Sequence, residues 1–313
     1  MPSERCPQCA EPVNRGDRGD RFCEECGARV ADQHRDRVEV DLGVAGGISD
    51  RGRRPRRNED ALALRGVEQA ADGGTAVVAI VCDGVSTSAR PDEASDAAAR
   101  TAAEALVVAL GADGDPAVAT REAICAAGRA VADLAGDEDE PDTRSAPACT
   151  FVSAVSTGNK VTVGWVGDSR AYWIPRAGTG SPPPSRMTED DSWLAQVLAA
   201  GTMTLADATA DRRAHAITAW LGRDAAPLDP HVITIEPDGP GVMVVCSDGL
   251  WNYLDGVGEL AAALPADASQ APLNAARELV EVALHAGGHD NITVVVLPFI
   301  ADRAFIADRG AIS

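Results

Sequence analysis

Runs of β-branched and small apolar residues bounded by turn residues recur along the chain, each long enough for one strand. TAVVAIVC (75–82) has no strongly polar interruption, so both of its faces are expected to be buried. VEVDLGVAGGIS (38–49) reads as a first strand, and TFVSAVS with KVTVGWVG as the arms of a hairpin turning at Thr157, Gly158 and Asn159. Similar runs predict strands over 170–174, 231–236, 242–247 and 292–298. Helix formers dominate 93–110, which follows Asp92, and 116–135, which opens on Pro116. Two more helices are predicted over 192–200 and 271–287, the second ending at a glycine. The stretches 136–147 and 175–186 read as loops. Short turns between strands argue for antiparallel sheets, and helices arriving in pairs argue for layers outside them. The expectation is an α+β sandwich.

Two of these strands stop in the same way. VVAIVCDGVS (77–86) ends at Asp83 and Gly84, and VMVVCSDGLW (242–251) at Asp248 and Gly249. Asp-Gly alone is an ordinary turn after a strand. Three further acidic stretches fall at strand ends or turns: RRNEDA (56–61), VGDSRAYW (166–173) and GGHDNITVVV (287–296), bringing in Asp60, Asp168 and Asp290. Each taken singly reads as an exposed turn acid. Together, several carboxylates without histidine or cysteine ligands suit hard, oxygen-seeking Mg²⁺ or Mn²⁺ rather than zinc. His289 reads as a turn filler rather than a ligand, and Trp165, Trp173 and Trp220 as core residues.

Composition narrows the picture. The chain has 313 residues, 45% hydrophobic and 24% charged, the proportions of a soluble globular protein. Its apolar runs fall short of the roughly 20 residues that cross a bilayer, and its N-terminus is polar, so no membrane partner and a cytoplasmic location are expected. A formal net charge of −20 argues against general nucleic-acid binding, welcomes divalent cations, and suggests arginine-containing protein loops as binding partners. Lys160 is the sole lysine, a composition that goes with GC-rich bacterial genomes.

Cysteines divide into two sets. Cys6, Cys9, Cys23 and Cys26 form C-x2-C-x13-C-x2-C, two short knuckles whose four thiolates suit a closed tetrahedral Zn²⁺ site. A segment this short has too little apolar surface to fold without a metal or a staple. Cys82, Cys125, Cys149 and Cys246 lie singly in apolar segments and read as buried, reduced side chains. The expected organisation is a zinc ribbon over 1–30, a linker over 31–37, one large domain over 38–300 and a tail over 301–313.

The series NED, DG, GDSR, SDGLW and GGHDN, in that order over nearly all of 38–298, resembles the metal-dependent protein phosphatase family, the type 2C serine/threonine phosphatases, in its bacterial form. The resemblance implies a four-layer α-β-β-α sandwich and hydrolysis of phosphoserine and phosphothreonine esters by solvent activated between two Mg²⁺ or Mn²⁺ ions, with a weaker third ion in bacterial members. Carried onto this chain, it implies that Asp83 bridges both ions, that the Gly84 carbonyl binds one, and that Asp248 and Asp290 complete the other. Glu59 and Asp60 would bind metal directly or through water, Asp168 would serve the third ion, and Asn291 would give a supporting hydrogen bond. The glycines after Asp83 and Asp248 are expected to let backbone approach an ion.

The chain also departs from the family pattern. The phosphate-binding arginine is expected at Pro55, so Arg54 or Arg56 is the candidate in its place. Val85 stands where some members carry a general-acid histidine, Ala148-Cys149-Thr150 replaces Gly-Thr-Thr, and Asp190-Asp191-Ser192 replaces Asp-His-Ser. These departures leave open an alternative, a pseudo-phosphatase or phosphoprotein-binding scaffold with lost turnover. The family further implies phosphorylated proteins as partners, substrates of a serine/threonine kinase in signalling, and a monomer.

Overall fold

The computed structural model describes residues 36–300 except 72, 136–145, 177 and 179–181. The four cysteines of the proposed zinc site, the C-terminal tail and most of the 136–147 loop lie outside the described residues.

Thirteen strands and seven helices follow one another along the described residues. The strands are β1 (Arg37–Asp41), β2 (Gly46–Asp50), β3 (Asp60–Glu68), β4 (Thr75–Asp83), β5 (Ala148–Cys149), β6 (Phe151–Thr157), β7 (Lys160–Val166), β8 (Arg170–Pro175), β9 (Ser185–Arg186), β10 (Leu221–Gly222), β11 (His231–Ile235), β12 (Gly241–Cys246) and β13 (Ile292–Phe299). The helices are α1 (Pro91–Gly111), α2 (Pro116–Asp133), α3 (Trp193–Ala199), α4 (Leu205–Ala210), α5 (Asp248–Trp251), α6 (Val257–Ala263) and α7 (Pro272–Ala286).

One sheet runs β1-β2-β13-β12-β8-β9, the other β11-β7-β6-β4-β3, and β10-β5 forms a small ribbon; every pairing is antiparallel. The two-residue period of a strand then divides the apolar residues among three cores. In β4, Ala76, Val78, Ile80 and Cys82 pack under α1 and α2 with Leu106, Leu110 and Ile124. Val77, Ala79 and Val81 of the same strand point the other way, into the seam between the sheets, where Met243, Val245, Val295 and Leu297 meet them. On the far side, Val244, Val294 and Val296 pack under α7 with Leu279 and Val280. The layers are therefore helix, sheet, sheet, helix.

Several sequence expectations change. The run 38–49 is two strands, because Gly43 at φ 72 turns the chain back between β1 and β2. Arg37, assigned to the linker, is the first residue of β1. β3 was not expected at all: it is an edge strand with two alanines and Gly66, residues of low strand propensity. Cys125 is only half-buried, unlike the other three described cysteines. Trp165 and Trp173 are core residues, but Trp220 is not; its indole N–H donates to Asp224 at an exposed position.

Between Ser192 and Ile217 the chain makes an excursion containing α3 and α4, closed at its base by the Ser192–Ile217 bridge and by Trp193 N–H donating to Ala216 O. Two carboxylates tie this base to the sandwich. Asp191 Oδ2 accepts from Gly167 N–H at 2.9 Å, and Asp190 takes both arms of Arg170 at 3.0 and 2.7 Å. Arg170 is buried, lies 3.6 Å over the Trp251 ring and also donates to Asp255 at 2.8 Å.

Leu106 is fully buried between α1 and the sheet. Leu106→Ala should lower the free energy of unfolding by about 3 kcal/mol, seen as a reduced urea midpoint, with the far-UV circular dichroism of the folded protein unchanged.

Candidate active site

Register and parity bring the acidic residues together. Asp60 sits opposite Asp83 where β3 meets β4, and both share the side of the sheet that holds Leu64 and Val81, so both point into the seam between the sheets. Side chains directly opposite in such a pair lie about 5 Å apart, and like charges there repel. From the facing sheet, β12 ends at Cys246 and leads through Ser247 into α5, whose first residue is Asp248, while Asp290 precedes β13 beside it. Asp168 lies on the turn between β7 and β8, at the same end.

Asp60 is held firmly on one side. Its Oδ2 accepts from Ser247 Oγ at 2.8 Å and from Thr293 Oγ1 at 2.7 Å. Behind Thr293 a chain of contacts runs through Ser49, 2.8 Å away, to Asn58, 2.8 Å further on. The other oxygen, Oδ1, is buried with no hydrogen-bond partner. Burial, together with the charges of Asp248 and Asp290, raises this carboxyl to about 7 despite the two hydroxyl donors.

The other carboxyls share the effect. Burial raises Asp83 well above the ordinary carboxylate range, with Asp60, Asp248, Asp168 and Asp290 all adding repulsion. Asp248, raised to about 6 by burial and Asp290, shares a hydrogen bond with Asp83 and accepts from Asn252 Nδ2 at 3.2 Å. Asp168 rises to about 7 through burial, Asp248 and Asp190, and Asp290 rises through burial and Glu59, opposed by the Asn291 N–H.

This donor set fits hard divalent cations. It is made of oxygens, it carries a surplus of negative charge, and it contains an orphaned buried oxygen that a cation would satisfy. Among the described residues, no three His, Cys, Asp or Glu side chains are already drawn around a single point.

Asn291 joins the two sheets' contributions. Its Oδ1 accepts from Glu59 N–H at 2.7 Å, and its Nδ2 donates to the carbonyls of Arg51 and Arg57 at 2.8 and 3.0 Å. One buried amide thus holds both ends of the 51–59 loop against the Asp290 turn. Glu59 Oε1 accepts from Arg57 at 2.9 Å. Arg54 and Arg56 are both exposed on the loop. His289 is also exposed; its N–H donates to Tyr253 OH, and its ring lies against Tyr253 rather than among the carboxylates.

The two glycines also serve the packing around the site. A Cβ on Gly84 would stand 2.6 Å from the carbonyl oxygens of Glu59 and Pro91, and one on Gly249 would stand 1.8 Å from Asn291 O. Both glycines let one chain segment approach another, so that the segments bearing Asp83, Glu59, Asp248 and Asn291 can crowd together. Sequence reasoning missed Ser247, Thr293 and Ser49, and named Thr150 only within the Ala148-Cys149-Thr150 stretch. Thr150 accepts from Asp83 N–H at 3.3 Å, donates its own N–H to Asp83 O at 2.8 Å, and contacts Ser169 beside Asp168 at 2.7 Å. Ser247 and Thr293 stand in the quoted motifs, and their seam-facing parity was the available clue.

Comparison with known proteins agrees with this geometry. "Probable protein phosphatase 2C 76" of Arabidopsis thaliana is 32% identical over 180 residues, 55% of this chain and 41% of that protein. "Serine/threonine protein phosphatase PstP" of Mycobacterium tuberculosis is 29% identical over 162 residues, 51% of this chain and 29% of its own length. The chain therefore spans less than half the length of these two relatives. A crystal structure of the catalytic domain of serine/threonine protein phosphatase PstP, in complex with two manganese ions, superposes with a TM-score of 0.59 at 25% identity, covering 82% of this chain and 98% of that one. The family model described as protein phosphatase 2C matches residues 51–266, well over half of the sequence, and the chain belongs to that family.

Proposed function

We propose that this chain is a metal-dependent protein serine/threonine phosphatase whose substrates are phosphoserine and phosphothreonine side chains of proteins phosphorylated by a serine/threonine kinase. The observation that carries the reading is Asp60: a buried carboxylate fixed by two hydroxyls through one oxygen while the other, unpartnered, belongs to a group of four further acids. A binding scaffold has no physical need for such mutual repulsion.

Asp83, Asp248 and Asp290 are the residues that would hold two Mg²⁺ or Mn²⁺ ions, with the Gly84 carbonyl, Glu59 and Asp60 at their periphery and Asp168 serving a weaker third. When bound, the ions supply Lewis acidity, activating solvent and neutralising phosphoryl charge. Everything else falls to the protein. Ser247 and Thr293 fix the direction of Asp60 Oδ1. Asn291 fixes the loop that carries Arg54 and Arg56, either of which would take phosphoryl oxygens in place of an arginine at Pro55. Thr150 spans the Asp83 strand and the Asp168 turn, so both move as one unit.

Residues 37–300 would form the catalytic unit, joined by a linker ending at residue 36 to a 1–30 ribbon whose Cys6, Cys9, Cys23 and Cys26 would hold one structural Zn²⁺ and serve docking or regulation.

The purified full chain should hydrolyse p-nitrophenyl phosphate with Mn²⁺, and chelator should abolish the activity. Asp83→Asn and Asp248→Asn should each lower turnover by about 10²-fold or more while circular dichroism stays unchanged. Full activity in either variant would overturn the assignment.

The raised carboxyls also fix the sign of the pH response. Asp60, Asp168 and Asp248 titrate near 6 to 7 in the fold and near 4 when unfolded, so the metal-free native state holds more protons between those values and loses stability as pH rises through them. Chelated protein should therefore melt lower at pH 8 than at pH 5. Mn²⁺ should raise the melting temperature more at pH 8, where the carboxylates are ionised. A shift independent of pH would count against carboxylate ligation.

A further inference from the structure

The net charge of −20 describes the chain as a whole, but the rim of the site is different. Five arginines fall within seven residues, at 51, 53, 54, 56 and 57, on the loop that leads into Glu59 and Asp60. The two outermost are turned to structural use. Arg51 pairs with Asp36 at 3.3 Å and donates to Pro55 O, and Arg57 pairs with Glu59 at 2.9 Å and with Asp92 at 3.3 Å. Arg53 and Arg54 are not used in this way. Arg53 and Arg54 are exposed, and among the described residues neither guanidinium has an ion-pair partner.

The loop that presents them is fixed. Asn291 holds its two ends through the carbonyls of Arg51 and Arg57. The N–H groups of Arg53 and Arg54 both donate to Gly288 O, at 2.8 and 3.2 Å, two residues from Asp290. The Arg53 stem lies so close to Gly288 that a Cβ there would stand 3.0 Å from its Cγ. Arg53 is therefore a charge carried on a braced loop beside the Asp290 turn, at the edge of the acidic cluster. An unpaired guanidinium presented on a braced loop favours a carboxylate partner over an arginine.

Building on the phosphatase reading above, we infer that Arg53 selects phosphoprotein segments carrying acidic residues beside the phosphoserine or phosphothreonine, rather than the arginine-containing loops that the net charge suggests. Arg53 acts on the flanking side chains and leaves the phosphoryl group to the neighbouring arginines. It is a specificity residue, and its effect falls on peptide binding.

The test compares kcat/KM of the full chain with Mn²⁺ on three synthetic phosphothreonine peptides, flanked by glutamate, alanine or arginine, alongside p-nitrophenyl phosphate. The wild type should prefer the glutamate-flanked peptide to the alanine-flanked one by about fivefold, through KM, and the preference should shrink as salt rises from about 0.05 to about 0.5 M. Arg53→Glu should abolish or invert the preference, Arg53→Gln should abolish it and Arg53→Lys should retain most of it. All three should leave p-nitrophenyl phosphate hydrolysis and the melting temperature unchanged. Equal wild-type rates on the three peptides, a preference for the arginine-flanked one, or a preference that survives Arg53→Gln would overturn the inference while leaving the phosphatase reading intact. Absence of turnover on every substrate, p-nitrophenyl phosphate included, would instead overturn the phosphatase reading and the inference with it.

Discussion

Repulsion between buried like charges is the constraint around which this end of the sandwich is organised. An antiparallel register sets Asp60 directly against Asp83, and the facing sheet delivers Asp248 and Asp290 to the same seam. Left alone, such an assembly would spread apart or take up protons, and the raised titration points of these groups express the second tendency. The surrounding structure opposes the first. Three apolar cores hold the two sheets and their helices together, and hydroxyl, amide and backbone donors close in on the carboxylates one by one. A hard cation bound among them would return part of the price in stability.

The division of labour follows strand periodicity. Within β4 a single run of residues supplies the helix-facing core, the seam-facing core and, one step further, a carboxylate aimed into the seam. The bulk of the fold and the location of the site are thus not separate designs. Removing a residue from β4 would rotate Asp83 to the other face at the same time as it turned the apolar set inside out.

This coupling explains what was legible in the sequence. The uninterrupted apolar runs of β4, β12 and β13 announce buried strands because their composition leaves no other environment for them. Asp83, Asp248 and Asp290 are conspicuous because they end or precede such runs. β3 was not legible, since an edge strand with alanines and a glycine carries little pattern of its own and is specified by its partner. The hydroxyls that orient Asp60 were equally hidden. Serine and threonine beside a strand end look ordinary until two strands far apart in sequence bring Ser247 and Thr293 onto one oxygen. The N-terminal cysteine pattern speaks only through its spacing.

The excursion between Ser192 and Ile217 has a consequence for how such proteins diversify. Its two ends meet at a bridge, and its base is pegged to the sandwich by Asp190 on the buried Arg170 and by Asp191 on Gly167. Loop closure depends only weakly on loop length. The segment is thus an exchangeable cassette: residues can be inserted, deleted or recoloured between the pegs while the neighbouring Asp168 turn stays where it is. New recognition surfaces can be tried beside the carboxylate cluster, which the segment itself reaches through His215 near Asp248.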